Sequence, residues 1–129
     1  MKLRHVVIDT NVLVSALMSP LGNPAKIYKM FLLGALSLVY NDSIILEYDD
    51  VLHRPYLRIS FEDADKVINA IKLYGEYVDT ISSTFPMIDE DDRTFYDAAK
   101  CGCAYLITGN TRHYPNESFI LNPTELLNL

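Results

Sequence analysis

The feature that most restricts this chain is a short β-branched run stopped by a single acid. Arg4-His5-Val6-Val7-Ile8 is apolar enough to be buried on both faces, and Asp9 ends it. Such runs belong to parallel strands. Behind it, Val12, Leu13, Ala16 and Leu17 recur at helical spacing. Pro20, Gly22, Asn23 and Pro24 mark a loop, and 25–34 reads as a second helix stopped by Gly34. A strand over 36–40 follows. The cap residues Asn41-Asp42-Ser43 then open a helix over 43–53, ended by Pro55. Residues 60–75 form an amphipathic helix with Ala64, Val67, Ile68, Ile71 and Leu73 as its apolar positions. Further elements are expected as a strand over 76–81, a loop over 82–91, a helix over 92–101 and a strand over 104–108. A turn at Gly109-Asn110, a short strand near 118–120 and a short helix after Pro123 complete the chain. Strands alternating with helices predict an α/β fold with a central parallel sheet covered on both faces. Ligands of such sheets bind at the carboxyl ends of the strands, near the point where strand order reverses.

Size and composition narrow the class. A length of 129 residues suits a single domain, taken as 1–129, that buries its core without staples. Half of the residues are hydrophobic and 22% are charged, which excludes disordered and fibrous classes. No apolar run reaches the ~20 residues of a membrane helix. Asp9 and Asn11 interrupt the N-terminal apolar stretch, so it reads as a strand and helix start rather than a leader. Two near-adjacent cysteines, Cys101 and Cys103, make neither a disulfide framework nor a zinc set, and point to a cytoplasmic, reducing compartment. The net charge of −6 argues against a static nucleic-acid-binding module. It is compatible with an enzyme that reaches phosphates through a cation held by acids.

Three carboxylates stand where apolar residues are expected. Asp9 closes the first strand and is equally readable as a helix N-cap. Glu47 lies three residues after Ile44 and four before Val51, at the margin of its helix's apolar face, where a boundary residue reaching to water is the alternative. Asp92 shares by spacing a face with Phe95, Tyr96, Ala99 and Cys103, although acids are also expected at any helix start. Asp49 and Asp50 read as solvated charges, and Asp97, four residues from Arg93, as a surface ion-pair partner. Buried carboxylates repel one another unless a cation joins them, and an all-oxygen set suits Mg²⁺ or Mn²⁺ rather than zinc. Of the histidines, His113 is the one placed to approach such a pocket, and no pair has the spacing of a zinc motif.

Four segments in order resemble the PIN-domain family across nearly the whole chain: Val7–Ala16, Ser43–Glu47 with Val51, Leu52 and Arg54, Asp89–Phe95 with Ala98 and Ala99, and Tyr105–Asn110. Within that family the chain is most similar to the toxin components of toxin–antitoxin pairs, the VapC-like ribonucleases. The resemblance implies a three-layer α/β/α fold and Mg²⁺- or Mn²⁺-dependent cleavage of RNA. It carries the metal-holding role onto Asp9, Glu47 and Asp92. Where such proteins often have a fourth acid after a Thr-Gly pair, this chain has Asn110, whose carbonyl is a possible oxygen donor. Thr10 and Asn11 are expected to orient the first carboxylate or contact substrate. Thr108 would help complete the rim; Arg112 and Lys100 are candidates for phosphate contacts, with surface solvation as the favoured reading of each. A protein antitoxin and self-pairing are implied partners, and nine Tyr offer apolar surface for an interface. Two other functions stay open at this point. One is a catalytically inactive PIN-like RNA-binding or assembly module, which Asn110 supports. The other is a receiver-type phosphoacceptor, which would want paired acids after the first strand and a lysine after the last.

Overall fold

The computed structural model describes residues 3–129. Its sheet is built of five parallel strands, β1 (Arg4–Ile8), β2 (Leu36–Tyr40), β3 (Glu76–Tyr77), β4 (Tyr105–Ile107) and β5 (Ile120–Leu121), in the order β3-β2-β1-β4-β5. The helices are α1 (Thr10–Met18), α2 (Asn23–Leu32), α3 (Asp42–Leu52), α4 (Phe61–Tyr74), α5 (Arg93–Cys101) and α6 (Pro123–Leu127). This is a three-layer α/β/α arrangement with a wholly parallel sheet, as the alternation of elements requires. The first run of the chain is the central strand. Arg4, His5 and Val6 pair with Leu36, Ser37 and Leu38, while Val6, Val7 and Ile8 pair with Tyr105, Leu106 and Ile107. Val6, Val7 and Ile8 are accordingly among the most deeply buried residues. No helix of the described residues is long and apolar enough to cross a membrane. Residues 1 and 2, the start of the N-terminal segment and of the 1–129 domain span, lie outside the described residues.

Local chemistry sets the element ends. Gly34 adopts a φ of 78° just past α2, a conformation that disfavours any side chain. Of the three cap candidates, Asn41 is the one used: its Oδ1 accepts the Ile44 backbone N–H at 2.8 Å, and α3 starts at Asp42. Ser60 caps α4 in the same way. Four expectations are corrected. Leu73 is exposed, because Ala64, Val67, Ile68 and Ile71 already form the i, i+3, i+4, i+7 stripe and position 73 falls well outside it. The third strand is only Glu76–Tyr77, since the chain leaves β2 once the Val78 N–H has bonded the Tyr40 carbonyl. Pro55 does not end α3, which stops at Leu52; it opens a 3₁₀ turn, Pro55–Leu57. Cys103 is exposed beyond α5 with a φ of 49°, so it does not share the buried face of Phe95, Tyr96 and Ala99.

The strand order reverses between β1 and β4. Their carboxyl ends carry Asp9 and Thr108, so the crevice expected of an open parallel sheet lies between these two residues. Helix α3 follows β2 and α5 packs across β1, β2 and β4, which brings Glu47 and Asp92 to the same edge.

Candidate active site

Asp9 caps a helix and also makes contacts that a cap does not need. Its Oδ1 accepts the Asn11 backbone N–H at 3.1 Å, which satisfies one of the free donors at the start of α1. Its Oδ2 accepts two hydroxyls, from Thr108 at 3.1 Å and from Tyr114 at 2.9 Å. A cap needs only the first contact. The other two come from residues on the far side of the strand reversal, both of them buried, and they fix the carboxylate toward the crevice. Asn11 is exposed and orients Asp9 through its backbone. Thr10 is buried and turns the other way, donating its hydroxyl to Glu47 Oε2. The sequence Asp9-Thr10 thus anchors two acids at once.

Glu47 is half-buried on α3, and burial is the main cause that pushes its carboxyl above the ordinary range. The Thr10 hydroxyl opposes that rise, Asp9 and Asp91 add to it, and Arg54 opposes it. Asp92 ends a 3₁₀ turn, Glu90–Asp92, and leads into α5. Burial first, then the charges of Asp9, Asp89 and Glu47, push its carboxyl up to about 6, with His113 opposing. Asp9, Glu47 and Asp92 therefore feel one another's charge. Two buried phenols stand behind these acids. Tyr48 is fully buried and donates to the Ile8 carbonyl, and Tyr114 is buried against Asp9. Burial and the neighbouring carboxylates push both phenols up, so both act as neutral donors.

The remaining expected residues are placed as follows. Thr108 is only 1% exposed; it accepts the Asn110 N–H at 3.1 Å while donating to Asp9, so it braces the site from beneath. Asn110 is exposed, with its Nδ2 3.1 Å from His113 Nε2, and His113 does reach the edge of the acidic group. Arg112 is exposed on the 3₁₀ turn Thr111–His113. Lys100 lies on α5 with its Nζ 5.4 Å from the centre of the Tyr96 ring. Tyr114 escaped the reading of the sequence; the available signal was a phenol in the loop leaving β4.

One expectation about an acid is corrected. Asp97 is not a surface partner of Arg93. It is 3% exposed, and its Oδ2 accepts the Ser83 backbone N–H at 2.9 Å. Arg93 instead grips Glu90 with two contacts of 2.7 Å and reaches the Ser83 carbonyl at 2.9 Å. Asp49 is exposed, as expected of a solvated charge, and its Oδ1 lies 3.2 Å from His53 Nδ1. His53 Nδ1 meets the Asp49 carbonyl at 2.6 Å and His53 Nε2 meets Asp65 Oδ1 at 2.8 Å, a clasp between α3 and α4. Among the described residues, Asp49, His53 and Asp65 are the one group of three potential metal ligands whose atoms all lie within 4.8 Å of one another. The His53 ring stands between the Asp49 and Asp65 side chains, at 3.2 and 2.8 Å. The carboxylates of Asp9, Glu47 and Asp92 do not all approach within 4.8 Å of one another, which limits their mutual repulsion.

The donor set at the crevice nevertheless fits a hard divalent cation. All its atoms are carboxylate oxygens, two of the three carboxyls are driven up by burial and by neighbouring acids including Asp9, and a cation would relieve that cost. A family model described as PIN domain matches residues 5–112. An uncharacterized protein of Methanocaldococcus jannaschii, MJ1680, is 31% identical over 108 residues, which span 81% of this chain and 70% of that protein.

Proposed function

Because the chain belongs to the PIN-domain family, whose members are generally nucleases, we propose that it is a Mg²⁺- or Mn²⁺-dependent endoribonuclease whose metal is held by Asp9, Glu47 and Asp92. The observation that carries this reading is the meeting of three carboxylates at the reversal of strand order, with Asp92 pushed up to about 6 by burial and by the charges around it. A structural cap does not require Thr108 and Tyr114 on the second oxygen of Asp9, nor Thr10 on Glu47. Hydroxyls that orient carboxylates are the outer support expected of a metal centre.

When bound, the cation supplies Lewis-acid stabilisation of the phosphodiester and makes water a nucleophile near neutral pH. The protein's own contribution is position. Thr108, Tyr114 and the Asn11 N–H hold Asp9 at the end of β1, and Thr10 holds Glu47. Asn110 stands at the rim with its amide nitrogen turned to His113, and its carbonyl is the oxygen it would offer. Arg112 is the exposed cation nearest in sequence to that rim and would meet substrate phosphate. The role of type II toxin, a protein antitoxin, self-pairing and a cytoplasmic setting belong to the same proposal, through the likeness to VapC-like proteins. Strand order disfavours the phosphoacceptor reading, because receiver domains follow the order 2-1-3-4-5 and this sheet does not. The test is cleavage of single-stranded RNA and of DNA of the same sequence, with Mn²⁺, with Mg²⁺ and with EDTA. Cleavage of RNA that requires metal is expected. Metal-dependent RNA binding without cleavage would establish the inactive module, for which the Asn110 replacement speaks.

A further inference from the structure

A second cavity opens beside the acidic crevice, at the carboxyl ends of β2 and β3 between α3 and α5. It measures about 400 Å³, and Asn41, Asp42, Asp79, Glu90, Arg93 and Asp97 are among its walls. Four of those six are acids and one is a base. The base is committed: Arg93 spends its donors on Glu90 and on the carbonyl and hydroxyl of Ser83. Asn41 is committed as well, to Ile44, Thr80 and Thr94. Asp97 is not. It is 3% exposed, Ser83 satisfies its Oδ2, and its Oδ1 is buried with no hydrogen-bond partner. Buried carboxylate oxygens are almost always paired, because an unpaired one keeps its desolvation cost with no compensation.

We propose that this cavity receives an organic cation of the guanidinium or alkylammonium type, whose N–H groups reach Asp97 Oδ1. Charge selects that class. A phosphate-bearing ligand would meet Asp42, Asp79 and Glu90 at close range, whereas a cation is attracted by the same residues. The acceptor left over is a single buried oxygen, so the ligand that suits it brings hydrogen-bond donors of its own. A guanidinium spreads five donors over a planar fork and an ammonium presents three, so either can bridge separated acceptors. Such a group has two possible sources, a side chain of a partner polypeptide or a free small cation, and the chemistry is shared.

The experiment is amide NMR of the whole protein in EDTA, which removes metal chemistry and keeps the result independent of nuclease activity. The probes are agmatine as the free cation, the amidated peptide Ala-Arg-Ala, and the peptide Ala-citrulline-Ala as its neutral counterpart. Saturable shifts at Asn41, Ser83 and Thr94 with agmatine or the arginine peptide are expected, and the stronger of the two identifies the source. Asp97→Asn should weaken binding about tenfold, the loss of one charge-assisted hydrogen bond. Asp79→Asn, at an exposed position, should weaken it roughly twofold even where Asp97→Asn folds poorly. Equal binding of the citrulline peptide, or no response to either cation, would overturn the proposal.

Discussion

Asp92 offers the sharpest energetic test, because its carboxyl is held above its ordinary value mainly by burial and then by Asp9, Asp89 and Glu47. Its value rises from 3.8 to about 6 on folding. The folded state therefore binds the proton more tightly, and between those two values stability falls as pH rises. At 1.36 kcal/mol per pH unit the full effect is about 3 kcal/mol. Asp92 is only half-buried, and solvent screening reduces the expected cost to about 1 kcal/mol. Asp92→Asn keeps the shape and never ionises, so it escapes that cost. In EDTA the variant should melt like the wild type near pH 3.5 and about 4 °C higher at pH 7. Adding Mn²⁺ should stabilise the wild type more than the variant, reversing or closing the gap. Melting curves by circular dichroism across pH 3.5 to 7.5 would show this. A variant that is less stable than the wild type at pH 7 in EDTA, or a gap that does not change with pH, would refute the reasoning.

Three further outcomes follow from named contacts. Tyr114→Phe removes a donor from Asp9 and should lower metal-dependent cleavage roughly tenfold, with a loss of about 2 kcal/mol seen in urea unfolding. Thr10→Val removes the hydroxyl that opposes the rise of Glu47, so the carboxyl should rise further and Mn²⁺ affinity by calorimetry should fall about tenfold. His53 is raised above 6.5 by the Asp49 carbonyl and then by Asp65, so its contribution to stability is present below 6.5 and lost as pH rises through the raised value. NMR titration should find it above 6.5, and lower in Asp65→Asn.

Much of the site was legible because it rests on local pattern. The run Val6-Val7-Ile8 defined a buried parallel strand, so the residue after it had to sit at a strand end, and periodicity placed Glu47 and Asp92 near buried faces of α3 and α5. What was not legible depends on contacts between segments without period. Asp97 lies four residues after Arg93, which is the spacing of a surface pair. Its true partner is a backbone N–H at Ser83, in a loop whose path no pattern encodes. Tyr114 meets Asp9 across 105 positions of sequence, through the loop that leaves β4. The 4.8 Å group of Asp49, His53 and Asp65 joins two helices, so only its Asp49–His53 half had a helical spacing to reveal it. Leu73 was misplaced because an apolar residue next to a complete stripe looks like part of it.

The central claim is that Asp9 holds a catalytic cation, and it stands or falls on one comparison. Asp9→Asn keeps the volume of the side chain and retains an acceptor for Asn11, Thr108 or Tyr114, while it removes the charge. Both proteins would be incubated with single-stranded RNA and Mn²⁺ at pH 7.5, with amide spectra recorded to verify the fold. The wild type should cleave, EDTA should stop it, and the variant should lose at least about a hundredfold in rate with its fold intact. Full activity in Asp9→Asn, or cleavage by the wild type that persists in EDTA, would contradict the account.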